Sequence, residues 1–79
     1  MKKEMVQRRI LEMLNKITGN AYTLKQDLME EGSLSSLELM ELLVNVEQEF
    51  RVKIPTRTLR YVSTAEDLVE LICGKAGIS

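Results

Sequence analysis

The sequence predicts an all-α fold, a small antiparallel bundle of three main helices plus one short helix. Three observations carry that expectation. Apolar residues recur at helical spacing in three separate stretches. Serine-headed capping patterns stand before two of them. With Gly at 4, Pro at 1 and only three aromatics, Tyr22, Phe50 and Tyr61, turn formers and β-prone side chains are too few for a small sandwich or barrel. At 79 residues the chain makes one domain, residues 1–79. That length excludes a two-lobed enzyme with a cleft between domains.

Residues 3–17 form the first helix, because Val6, Ile10, Met13, Leu14 and Ile17 follow a 3.6-residue period. Thr18-Gly19-Asn20 ends it, Gly being the usual residue after a helix. Residues 20–34 are a longer connection anchored to the core by Leu24, Leu28 and Met29, with a turn at Gly32 and Ser33. Residues 36–50 are the second helix. Ser35-Ser36-Leu37-Glu38 matches the capping box, with Ser35 as N-cap and Glu38 three residues on. Pro55 disfavours helix at Ile54 and suits the first turn of a short helix over 56–61. Ser63 as cap and Glu66 three residues later start the last helix. Leu68, Val69, Leu71 and Ile72 carry it to about Cys73, where Gly74 stops it.

Composition then narrows the chemistry. Apolar residues are 44% and charged residues 29%, the balance of a folded globular chain. Histidine is absent, which removes the commonest general base and metal ligand. The single Cys73 makes neither an internal disulfide nor a thiolate cluster, and its expected role is that of a small buried apolar residue. Glu4, Gln7, Arg8, Arg9 and Glu12 break up any apolar N-terminal run, so no signal peptide or membrane span is expected, and the expected location is cytoplasmic. Glu30, Glu31 and their neighbours lack the spacing of a metal site.

The net charge of −1 hides a pattern. Residues 1–17 carry +3, residues 18–50 carry −6, residues 51–60 carry +4 and residues 61–79 carry −2. The acidic block comprises Asp27, Glu30, Glu31, Glu38, Glu41, Glu47 and Glu49 against Lys25. The basic block is Arg51, Lys53, Arg57 and Arg60, with no acid. With few aromatics near it and carboxylates beside it, the basic run reads as a solvated face and not as a nucleic-acid site.

The second helix has two apolar faces. With Leu37 at 0° and about 100° per residue, Leu39, Leu42, Leu43, Val46 and Phe50 fall within roughly 140–240°, a core stripe. Leu37, Met40 and Val44 lie opposite, with Glu41, Glu47 and Gln48 among or beside them. Either this helix is buried nearly all round, or the second stripe stays exposed as a rimmed docking surface. Glu41 and Glu47 favour exposure, being costly to bury unpaired.

Ser36 stands at the first helical position, where unsatisfied N–H groups and the positive dipole end suit a phosphate. On chemistry alone, however, Ser35 and Ser36 read as ordinary helix-start serines. No base or triad partner is available to make either a catalytic nucleophile.

Gly32-Ser33-Leu34-Ser35-Ser36-Leu37-Glu38-Leu39, then Val46-Glu47-Gln48-Glu49-Phe50, then Val52-Lys53-Ile54-Pro55, resemble the acyl carrier protein family. The likeness continues through Val62-Ser63-Thr64 and from Leu68 to Ile72, and is strongest over residues 28–72. Spacing to Ile54-Pro55 matches Ser36, and not Ser35, to the family's modified serine. The resemblance implies a carrier and not an enzyme. A phosphopantetheinyl transferase would move 4′-phosphopantetheine from coenzyme A onto Ser36, and the arm's thiol would hold acyl or aminoacyl groups as thioesters. An acyl- or aminoacyl-loading ligase and downstream acyl-transfer enzymes would dock on the second helix through Leu37, Met40, Glu41, Val44 and Glu47. The chain would act as a monomer, in fatty-acid, polyketide or aminoacyl (including D-alanyl) chemistry. Two features depart from the family pattern. Ser35 replaces the usual Asp before the modified serine, and residues 51–60 are basic. The rival reading is a carrier-like interaction module that is never modified.

Overall fold

The computed structural model describes residues 1–78. Helix α1 spans Lys3–Thr18, α2 spans Ser36–Phe50 and α3 spans Ala65–Ala76, with a 3-10 helix at Thr56–Tyr61 before α3. The all-α expectation holds, with three long helices and one short one among the described residues.

Each apolar stripe expected of the helices is buried, with small differences at the margins. Val6, Ile10, Met13 and Leu14 of α1 meet Leu42, Leu43, Val46 and Phe50 of α2 and Leu68, Val69, Ile72 and Cys73 of α3 in one core. Ile17 packs on its edge, and Leu39 is half-buried. Helix α1 packs against both α2 and α3. It runs antiparallel to α2: Arg9, in its first half, pairs with Glu49 in the last turn of α2. Lys3 pairs with Glu70 of α3.

The connection between α1 and α2 is tethered. Leu28 N–H donates to the Ser63 carbonyl at 2.6 Å, and Glu66 N–H donates to the Leu24 carbonyl at 2.9 Å. Asp27 and Thr64 form an isolated antiparallel bridge, and Lys25 pairs with Glu66 at 2.8 Å. Tyr22 is buried, and its hydroxyl donates to the Ser33 carbonyl at 2.7 Å. The approach to α2 is thus held on the start of α3.

Two boundaries of α3 differ from expectation, each for a local reason. Thr64, not Ser63, caps α3. Its Oγ1 accepts the Asp67 N–H at 3.1 Å, and Asp67 accepts the Thr64 and Ser63 N–H groups at 3.1 and 2.9 Å. An Asp at the third position closes the box one residue later than Glu66 would. Gly77, with φ 70°, ends α3, and Gly74 lies inside it. The short helix over 56–61 falls where it was expected, with Pro55 just ahead of it at ψ 140°. Met29, expected as a core anchor, is 41% exposed. Leu28 and Tyr22 fill the core at that point, and Tyr22 was not expected there. Cys73 is buried as expected, and burial pushes its thiol pKa up.

Candidate functional site

The head of α2 is built by its capping box. Ser35 is extended at φ −76° and ψ 164°, and its Oγ accepts the Glu38 N–H at 3.1 Å. Glu38 returns the contact, its Oε1 accepting the Ser35 N–H at 2.9 Å. Capping is therefore carried by Ser35. Ser36, one residue on, is the first helical residue and is exposed. Its hydroxyl takes no part in the box, and among the described residues it has no hydrogen-bond partner in the protein. Unpaired N–H groups and the positive end of the helix dipole lie at this terminus.

The second apolar stripe of α2 stays in solvent. Leu37 is 79% exposed, Met40 51% and Val44 46%. Glu41 and Gln48 beside them are exposed as well. The alternative of a helix buried all round is thereby excluded. Exposing large apolar side chains in a row is unfavourable unless something covers them some of the time. Glu41 also borders an open groove of about 570 Å³ between α1 and α2, shared with Arg9, Lys16, Ile17, Asn45 and Gln48. Arg9 is one of the residues lining that groove. Its guanidinium donates to both carboxylate oxygens of Glu49 at 2.6 Å and to Glu12 at 2.8 Å. The pairing with Glu49, reinforced by Glu12, raises the Arg9 pKa. The same bond holds the Glu49 carboxyl below its ordinary value.

Glu47 differs from the other carboxylates of the expected docking face. It is half-buried, and its Oε2 accepts the Ile54 N–H at 2.8 Å. Sequence patterning placed it on the rim of the stripe, but only the structure shows that it also folds residues 51–54 back onto α2. Arg51 makes that reversal in the left-handed region, at φ 55° and ψ 47°. A non-glycine residue there signals a forced turn. Nothing in the local pattern flags it, because Gly is the residue expected at such a position.

Among the described residues, no group of three or more Asp, Glu, Cys or His side chains is arranged to hold a metal ion. Among those residues, too, no helix is long and apolar enough to cross a membrane. Glu38, two residues from Ser36, is engaged in the capping box.

Comparison with known proteins converges on one family. The family model described as "Phosphopantetheine attachment site" matches residues 8–72. An acyl carrier protein of Kocuria rhizophila is 32% identical over 66 residues, covering 80% of this chain and 82% of its own length. An acyl carrier protein of Myxococcus xanthus is 28% identical over 75 residues, covering 91% and 95%. One from Arthrobacter sp. is 30% identical over 66 residues, covering 80% and 82%. With the family model spanning residues 8–72 and relatives of this kind over most of its length, the chain belongs to the phosphopantetheine-attachment family of acyl carrier proteins, carriers and not catalysts, whose cofactor is covalently attached 4′-phosphopantetheine.

Proposed function

We propose that Ser36 is the point at which the cofactor is attached, and that enzymes dock on the exposed face of α2. The observation that carries this reading is the division of labour between adjacent serines. Ser35 is engaged in capping, and Ser36 presents a free hydroxyl at the positive end of a 15-residue helix. A phosphodiester formed there would lie against unpaired N–H groups and a favourable dipole. The residues present therefore fit the group. Ser36 supplies the attachment oxygen, and the backbone at the head of α2 supplies the electrostatic support. When bound, the arm supplies a terminal thiol that holds an acyl or aminoacyl group as a thioester.

The protein's own contribution is presentation. The tether from residues 24–28 to the start of α3 keeps the head of α2 in place, so the attachment point is offered on a rigid element. Leu37, Met40 and Val44 then form a shallow apolar contact for a phosphopantetheinyl transferase, a loading ligase or an acyl-transfer enzyme, with Glu41 meeting basic partner surfaces. Glu47 borders this face while closing the loop behind it. Charge steering of this kind speeds encounter more than it tightens a complex, which suits a carrier that must leave each partner. A cytoplasmic, monomeric carrier is part of the same reading, since its substrates would be handed over between soluble enzymes.

The test is incubation with coenzyme A and a broad-specificity phosphopantetheinyl transferase, followed by intact mass. A gain of one phosphopantetheinyl group is expected in the parent and in Ser35→Ala, and none in Ser36→Ala. A gain that persists in Ser36→Ala would move the attachment point elsewhere.

A further inference from the structure

Among the described residues, one hydrogen bond joins the loop of residues 29–34 to a distant part of the chain. Tyr22 makes it. Its hydroxyl donates to the Ser33 carbonyl at 2.7 Å and lies 3.3 Å from Ser33 Oγ. The loop's other hydrogen bonds are local. Met29 N–H donates to Asp27 Oδ1 at 2.8 Å, and Ser33 N–H donates to the Glu30 carbonyl at 3.0 Å. Gly32 turns the chain at φ 87° with open space beside its Cα, so side-chain packing does not fix that turn. Leu34 packs against the edge of the core.

Tyr22 is 7% exposed and belongs to the core. Phenylalanine would fill the same space, and a hydroxyl buried without a partner is costly. What the hydroxyl adds is direction. It fixes the plane of the peptide between Ser33 and Leu34, and so the entry of the chain into Ser35. Ser35 and Glu38 then close the capping box, and Ser36 follows as the first helical residue. The box ties the head of α2 to itself and not to the rest of the domain. Two hydrogen bonds supply that second link. Leu28 N–H meets the Ser63 carbonyl on the α3 side. Tyr22, just beyond Gly19 at the end of α1, reaches Ser33, which is much nearer to Ser36 in the chain.

We propose that Tyr22 is a positioning residue for the modification of Ser36. Its hydroxyl holds the approach through Ser33, Leu34 and Ser35, so that the Ser36 oxygen is offered in one arrangement. This rests on Ser36 as the attachment point, and Tyr22 itself touches no reacting atom. In the transfer, Ser36 Oγ bonds to the phosphorus that carries pantetheine, and the pyrophosphate linkage of coenzyme A breaks. The adenosine bisphosphate half leaves with the bond electrons, and the serine proton passes to a base of the transferase. Such a displacement is sensitive to placement, an error of about 1 Å costing up to about a hundredfold. Ser36 lies in the first turn, whose N–H groups have no partner within the helix, so it moves with its approach. Met40 and Val44 lie a turn or more further in and stay in place. Losing the hydroxyl therefore lowers kcat and leaves KM nearly unchanged.

The test uses the full chain, coenzyme A and a broad-specificity phosphopantetheinyl transferase, with initial rates read by intact mass. Tyr22→Phe is expected to lower kcat about fivefold, the size of one net hydrogen bond, with KM within about twofold of the parent. Amide exchange at Ser35 and Glu38, the two N–H groups of the capping box, is expected to quicken about threefold. Ile72→Val serves as the control. It thins the core on α3, where Ile72 is fully buried, without touching the loop. It is expected to lower the unfolding midpoint at least as much as Tyr22→Phe and to keep kcat within about twofold of the parent. A parental kcat in Tyr22→Phe overturns the proposal. So does an equal fall in Ile72→Val, or a loss that lies in KM alone. A parent chain that takes up no phosphopantetheine overturns the attachment reading itself, whereas uptake by the parent with an unchanged Tyr22→Phe overturns only the positioning role.

Discussion

The Glu47 carboxylate accepts the backbone N–H of Ile54 across seven residues, at 2.8 Å. This single contact joins the last turns of α2 to the extended segment leading to Pro55. It seats Val52 and Ile54, both buried, under the end of the helix. Glu47→Ala leaves the Ile54 N–H without its partner in a part-buried position, and is expected to destabilise by about 1–2 kcal/mol. Glu47→Gln keeps an acceptor oxygen and is expected to lose less. Urea unfolding separates the two. A Glu47→Ala midpoint equal to the parent's would leave the carboxylate a surface charge only.

Arg51 makes the accompanying turn at φ 55°. The left-handed region costs a side-chain-bearing residue about 1–2 kcal/mol, partly offset in glycine by the larger entropy of the unfolded chain. Arg51→Gly is therefore expected to stabilise the fold by about 0.5–1 kcal/mol. A lower thermal midpoint in Arg51→Gly would show that the arginine side chain supplies compensating contacts.

The two adjacent serines separate cleanly in a stability measurement. Ser35 caps α2 and its Oγ holds the Glu38 N–H. Ser35→Ala is expected to cost about 1 kcal/mol, and Ser35→Asp, which retains a capping acceptor, far less. Ser36→Ala is expected to leave the unfolding midpoint unchanged. A loss in Ser36→Ala comparable to that in Ser35→Ala would give the second serine a structural role.

Much of this arrangement was legible in the sequence, and the reasons are specific. The α2 boundaries followed from Ser35 and Glu38, because a capping box is a local pattern that tertiary structure rarely overrides. The opposed stripes followed from helical periodicity, since fifteen residues hold enough apolar positions to define two faces. The start of α3 was misplaced by one residue because Ser63 with Glu66 and Thr64 with Asp67 both satisfy the pattern. The bridge between Asp27 and Thr64 selects the second, and that contact is not local. Tyr22 in the core, the turn at Arg51 and the second use of Glu47 share that origin. Each depends on a residue seven or more positions away or on backbone closure, which periodicity does not record.

Acid stability follows from Asp67 and Glu49. The Ser63 and Thr64 N–H groups hold the Asp67 carboxyl below its ordinary value, and Arg9 does the same for Glu49. Unfolded Asp and Glu titrate near about 3.9 and 4.3. A depressed folded pKa means the unfolded chain binds more protons in this range, so stability is full above it and falls as pH drops through the folded values. Loss is expected to begin below about pH 5. Asp67→Asn keeps an acceptor for the cap but cannot titrate, and is expected to flatten the acid limb of a plot of urea midpoint against pH. An unchanged acid limb would assign it to other carboxylates.

The exposed stripe of α2 makes the sharpest separation between folding and function. Met40 is 51% exposed, so placing a charge there removes little buried apolar area. Met40→Glu is expected to shift stability by less than about 0.5 kcal/mol, as surface substitutions generally do. At an interface the same change introduces a carboxylate among Leu37 and Val44, where a docked partner would have to desolvate it. Transfer to partner enzymes is then expected to slow about tenfold or more, through weaker docking at the apolar contact. Raising salt would not restore it, because the lost contact is apolar and not a pairing of charges. Partner kinetics unchanged in Met40→Glu, with the fold intact by circular dichroism, would place the docking surface off this face of α2.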